Sequence, residues 1–153
     1  MSVVAPSDGN DVRIVSKQLV VHPDNGMAGA LGFCAAGRLG KAKEMDAAVW
    51  DKGFKQRQMD LSDVPPAEGG GKPVKCWETP QGCKNVVSYA QALQLDLNRF
   101  KQDMKACVPI VEKDMADLRN FGVRATPSFF INGRFIAGKA SLGRGVSARF
   151  VGE

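Results

Sequence analysis

The sequence predicts an α/β domain in which one strand, a long helical stretch and a closing β-hairpin follow one another. Three observations carry this reading. Residues 12–21, VRIVSKQLVV, are β-branched and partly alternating, the pattern of a half-buried strand. From Met27 to Phe121 apolar residues recur mainly at helical spacing, as they do on the buried face of an amphipathic helix. Asn132-Gly133 separates Ser128–Ile131 from Arg134–Ile136, and a type I′ hairpin turn needs positive φ at both central residues.

Taken in order, the strand at 12–21 is stopped by His22-Pro23-Asp24, and Asp24 or Asn25 caps the helix that follows. Met27, Leu31 and Cys34 share one face of that helix, and Gly37 and Gly40 weaken its end. A second helix carries Met45, Ala48, Val49 and Trp50 towards Gly53-Phe54. From 55 to 75 periodicity is lost, and VPPAEGGGKP has the composition of a loop. A loop of this length inside a domain is either functional or an embellishment. Val86, Tyr89, Ala90 and Leu93 restore helical spacing, and Asp96 caps a helix bearing Leu97, Phe100, Met104 and Cys107. Pro109 suits the first turn of a further helix, which Gly122 closes from the C′ position.

Composition narrows the function classes. The chain has 153 residues, 44% hydrophobic and 24% charged, which suits one domain able to bury a core. No apolar run approaches the ~18 residues of a membrane span, so no membrane association is expected. The start, MSVVAPSDGND, lacks the basic and apolar regions of a signal peptide. The net charge is +5, but Lys and Arg are interleaved with acids, so no nucleic-acid partner is expected.

The four cysteines are Cys34, Cys76, Cys83 and Cys107. None forms a CxxC, and the spacing of Cys76 and Cys83 is too wide for a zinc knuckle; neither metal nor cofactor is expected. CWETPQGC contains Pro80 and Gly82, which let the chain turn back on itself. A structural disulfide between Cys76 and Cys83 is the favoured reading, worth about 2–3 kcal/mol by loop closure, with two free thiols as the alternative. Cys34 and Cys107 lie on apolar faces, and the sequence leaves them paired or free.

FGVRATPSFFINGRFIAG, Phe121 to Gly138, resembles the helix-to-hairpin segment of the DsbA-like family of thioredoxin-fold thiol–disulfide oxidoreductases. AAGRLGKAKEMDAAVW, QLDLNRFKQDM and EKDMADLRNFGV are similar to parts of that family's helical insertion. The resemblance spans residues 12–138, with the insertion at about 24–121, the long loop at 55–75 and an irregular tail at 139–153. It implies a thioredoxin-like fold lacking its first strand, its CxxC helix and its C-terminal helix. It also implies a cis Thr126-Pro127 bond, with Thr126 and Pro127 binding an extended or unfolded polypeptide substrate; an ordinary trans proline at a strand start is the alternative. By family the compartment is periplasmic or otherwise oxidising. With no CxxC, no catalytic residue is assigned.

The expectation is thus an oxidoreductase-family domain that is inactive as this chain. The alternatives are a redox-inactive peptide-binding module using the cis-Pro loop, and a helical interaction protein using the 55–75 loop. Two unpaired sheet edges around the missing strand would favour self-association.

Overall fold

The computed structural model describes residues 3–6, 13–66 and 69–137. Four helices dominate: α1 (Pro23–Arg38), α2 (Ala42–Ala48), α3 (Lys84–Ala92) and α4 (Leu97–Asn120). The strands are short. β1 (Val3–Pro6) pairs with β2 (Arg13–Ser16), β3 (Asp63–Val64) with β4 (Val74–Lys75), and β5 (Ser128–Ile131) with β6 (Arg134–Ala137). Each pair is antiparallel and forms its own two-stranded ladder. This corrects the expected thioredoxin-like sheet: among the described residues no ladder joins another and no strands run parallel, so the helices make the core. A broad sheet with two open edges around a gap is not present among them either, which removes the basis for the expected self-association.

The core lies where α1 crosses α4. On α4, Phe100, Met104, Cys107, Val111 and Met115 follow a three-to-four-residue period and are buried, so one face of the helix is apolar throughout. On α1 the matching face is small: Ala28, Ala30, Ala35 and Ala36 surround Met27, Leu31 and Cys34. Small side chains let the two helices approach closely, and the Cys34–Cys107 disulfide joins them with Cα atoms 6.1 Å apart. Both helix ends of α4 are chemically marked. The Asp96 carboxylate accepts the Arg99 N–H at 3.1 Å, satisfying one orphan donor of the first turn. At the other end Gly122 has φ +80. The Val123 N–H reaches the Leu118 carbonyl and the Gly122 N–H that of Arg119, the paired bonds of a Schellman motif.

Several local expectations change. Pro109 does not start a helix but lies within α4. It is exposed, as is Lys105 four residues earlier, so the carbonyl that loses its donor faces water instead of the core. Pro23 occupies the first turn of α1, and neither Asp24 nor Asn25 is the cap residue; His22 is. The strand at 12–21 ends at Ser16, because Lys17 and Gln18 are drawn to α4 and Val20 turns into the core. A strand also precedes it: β1, with Val3 opposite Ser16 and Pro6 opposite Arg13. The second helix continues from α2 into a π-helical segment, Val49–Lys55. The hairpin forms on Asn132 and Gly133, whose φ values are +48 and +79. The tail at 139–153 lies outside the described residues.

One glycine is required by packing. A Cβ on Gly32 would overlap Val86 Cγ1, an approach no packed core tolerates. The valine is branched at Cβ and has little rotamer freedom with which to yield. Gly32→Ala is therefore expected to push α1 from α3 and cost roughly 1–3 kcal/mol, read as a lowered urea midpoint. A midpoint at or above that of the parent chain would show that these helices are not in contact.

Candidate functional site

Among the described residues the chemistry is concentrated in three buried carboxylates and two disulfides. Cys76 and Cys83 are joined, closing a short loop that starts with the 3-10 turn Cys76–Glu78. Thr79 holds that loop from inside: its hydroxyl donates to the Cys76 carbonyl at 2.8 Å and accepts the Gly82 N–H at 3.2 Å. All four cysteines are buried and none among them is free. Cys34 is thus a partner of Cys107 and not an isolated core thiol.

The 55–75 stretch is anchored, not loose. Asp60 is buried, and its two carboxylate oxygens accept the N–H groups of Asn85 and Val86, each at 2.9 Å. It thereby caps α3, whose own N-cap residue, Cys83, supplies no side-chain bond. Ser62 ties the same stretch to α1: its N–H donates to the Asp24 carbonyl at 2.7 Å and its hydroxyl to that of Pro23. Tyr89 donates its hydroxyl to the Gln58 carbonyl at 2.7 Å. Burial, with the Asp60 charge second, raises the phenol above its ordinary value of 10.0. Across the β3–β4 ladder Lys75 meets Asp63 at 2.8 Å.

The other two carboxylates sit on the buried stripe of α4. Asp103 receives Arg38 of α1 at 2.8 Å, with Arg99 at 3.7 Å on its second oxygen, which has no hydrogen-bond donor. Asp114 takes Lys17 at 2.8 Å and the Gln18 N–H at 3.3 Å, pinning the chain after β2 to the helix. Asp60, Asp103 and Asp114 were not singled out from the sequence. For the last two a signal existed: each stands beside a core methionine, where the helical period places an apolar residue. For Asp60 none existed, because its partners are distant in sequence.

Lys17 gives this anchoring a pH dependence. Its hydrogen bond to Asp114 raises the ammonium pKa above its ordinary 10.5, against the opposing effect of burial and with help from the charges of Asp114 and Asp117. A pKa raised by folding stabilises the fold fully below the unfolded value, and the gain vanishes as pH climbs through the folded one. Tyr89, also raised, acts in the same alkaline window. Stability is expected to fall between pH ~9 and ~12, and to fall less in Lys17→Met. Urea midpoints measured across that range check this; an identical alkaline loss in the variant would contradict it. On the acid side Asp117 is held below its ordinary value by the hydrogen bond from Lys113 first, with the charges of Lys113 and Lys17 adding to it. Its smaller contribution, present above pH 3.8, disappears as pH falls below that.

Thr126-Pro127 is a cis bond, and both residues are exposed ahead of β5. Neither makes a side-chain hydrogen bond among the described residues; the neighbouring Ser128 hydroxyl donates to the Ala125 carbonyl at 2.6 Å. The structure does not bring them near Cys76 and Cys83 through any ladder or disulfide. No group of three or more His, Cys, Asp or Glu able to hold a metal ion occurs among the described residues.

No family model and no solved structure matches the chain. Two curated relatives do. The Na(+)/H(+) antiporter NhaA 1 of Salinispora arenicola (strain CNS-205) is 34% identical over 120 residues, covering 63% of this chain and 18% of the relative. The Na(+)/H(+) antiporter NhaA of Herminiimonas arsenicoxydans is 39% identical over 57 residues, 36% of this chain and 9% of the relative. The chain therefore spans less than a fifth of the length of either.

These findings overturn the DsbA-like assignment and the thiol–disulfide oxidoreductase function, including its peptide-binding alternative. The matching names are antiporters, and no family model or solved structure supports the thioredoxin family. The substrate-binding role of Thr126 and Pro127 loses its support with the resemblance. The expectation of no membrane partner is corrected too, since both relatives are named for ion exchange. Among the described residues no helix is long and apolar enough to cross a membrane.

Proposed function

We propose that this chain is an extramembrane domain that sits beside an antiporter-type membrane protein, braced by two disulfides and facing an oxidising compartment. The observation that carries it is the 34% identity to an Na(+)/H(+) antiporter across 63% of the chain. Two features of the molecule support the extramembrane placement. The long helix α4 turns Arg99, Lys105, Glu112, Lys113 and Arg119 to water and keeps its apolar stripe for α1, the distribution of a helix folded in water. Both disulfides are buried within that helical body, and such bonds persist where the surroundings are oxidising.

In this reading residues 12–138 form the unit, about 24–121 its helical body, and the Cys76–Cys83 bond is structural. The domain does not carry the ion path. Asp103 and Asp114 are committed to Arg38 and Lys17, and Asp60 to two backbone N–H groups. A carboxylate that exchanges a proton for a cation must be free to release its partners.

The test is reconstitution. The chain alone in proteoliposomes is expected to leave an imposed sodium gradient uncoupled from protons, as read by an entrapped pH dye. It is also expected to cross-link to the antiporter when the two are present in one membrane. Exchange by the chain alone would overturn the reading, as would no cross-link to the antiporter.

A further inference from the structure

The π-helical segment Val49–Lys55 presents Trp50 and Phe54 outward, one turn apart, 55% and 61% exposed. Their rings meet edge to face, with centroids 5.0 Å apart. The base beneath them is packed. Gly53 is buried against Met59, and Val49 lies where a Cβ on Gly29 of α1 would be 3.1 Å away. The two rings are thus held out by a fixed support. π-helical turns are uncommon and concentrate at functional positions.

The surroundings are basic. Lys43, Lys52, Lys55 and Arg57, near the pair in sequence, are exposed. Lys55 shares Asp51 at 3.4 Å, and Lys52 stands 5.8 Å from the centre of the Tyr89 ring. Lys41 is matched by Glu44 at 3.1 Å. Over residues 41–58 five basic residues face three acids, Glu44, Asp46 and Asp51. Exposed Trp with Phe in a lysine-rich stretch is the chemistry of the bilayer interface: the rings enter the headgroup level and the long amines stay at the phosphates.

We propose that the Trp50–Phe54 face docks on an anionic lipid surface, with Lys52, Lys55 and Arg57 meeting the phosphates. Charge complementarity selects this occupant. It rests on the placement of the chain beside a bilayer proposed above. The exposed phenylalanines of the β5–β6 hairpin have no comparable run of lysines and are not part of the face.

The experiment uses the whole chain and vesicles without any protein, so its failure would leave the relation to the antiporter to be judged separately by the cross-link. Sedimentation is measured with phosphatidylcholine vesicles, with and without phosphatidylglycerol. Trp fluorescence reports entry of Trp50, since Trp77 is buried. Binding is expected only with phosphatidylglycerol, with a blue shift, and is expected to vanish at high salt. The pair Trp50→Ala, Phe54→Ala and the pair Lys52→Glu, Lys55→Glu should each weaken it about tenfold or more, with unchanged circular dichroism. Phe121→Ala should leave it unaltered. Failure of the parent chain to bind, binding indifferent to salt, or equal binding by both folded variant pairs would overturn the proposal. So would binding confined to membranes that contain the antiporter, which would identify a protein partner.

Discussion

The Cys34→Ala, Cys107→Ala chain is expected to lose about 4 kcal/mol of stability. The bond joins residues 73 positions apart, so the unfolded chain it constrains is long. On the loop-entropy model Cys76–Cys83, only 7 positions apart, is worth about 2–3 kcal/mol. For a domain of this size the larger loss corresponds to a fall in Tm of roughly 8–16 °C. Thermal unfolding of the two double-alanine chains, each with its remaining bond intact, checks the order. Equal losses, or a larger one for the short loop, would show that the α1–α4 junction is not what the longer bond secures.

Phe100→Ala is expected to cost about 3–5 kcal/mol. Phe100 is fully buried at 0% exposure, and its Cζ lies 3.8 Å from the point where a Cβ on Gly32 would be. It therefore fills space against both α1 and the α3 side of the core. Removing the ring leaves a cavity that neighbouring alanines are too short to fill. Phe121→Ala serves as the comparison, because that side chain is 72% exposed and its loss should stay within about 0.5 kcal/mol. Urea denaturation of both variants separates the cases. Similar midpoints for the two would mean that Phe100 is not in the core.

What the sequence revealed was local. Asn132-Gly133, Asp96 and Gly122 were readable because each acts through its own backbone or that of a near neighbour: a turn with positive φ, an N-cap, a helix stop. Pro109 was misread for the same reason. Proline announces a missing N–H, but whether that starts a helix or is tolerated inside one depends on whether Lys105 faces water, which is a tertiary fact. β1 was missed because four residues give too short a pattern to read.

The anchoring of the 55–75 stretch lay further out of reach. Asp60 finds Asn85 and Val86 across the fold, and no spacing rule connects them. The partner of Cys34 was equally undetermined, since it depends on which helix faces which. The family resemblance failed on a related point. A helix stop, a cis proline and a hairpin make one supersecondary unit, and such a unit does not dictate the sheet around it. Here the hairpin stands as a ladder of its own.

The candidate surface was partly visible. Trp50, Phe54, Lys52 and Lys55 could all be read along the chain, but the π-helical turn that carries both rings, and their exposure, could not.

The central claim, an extramembrane domain held by disulfides beside an antiporter, is tested most directly by thiol trapping in cells that make the protein. Cells are quenched in acid, the membrane fraction is isolated, and its protein is alkylated in denaturant without reductant before mass analysis. The account predicts that the chain is recovered with the membranes and that Cys34, Cys76, Cys83 and Cys107 all escape alkylation until reductant is added. Recovery away from the membranes, or four alkylated cysteines in the unreduced sample, would contradict it.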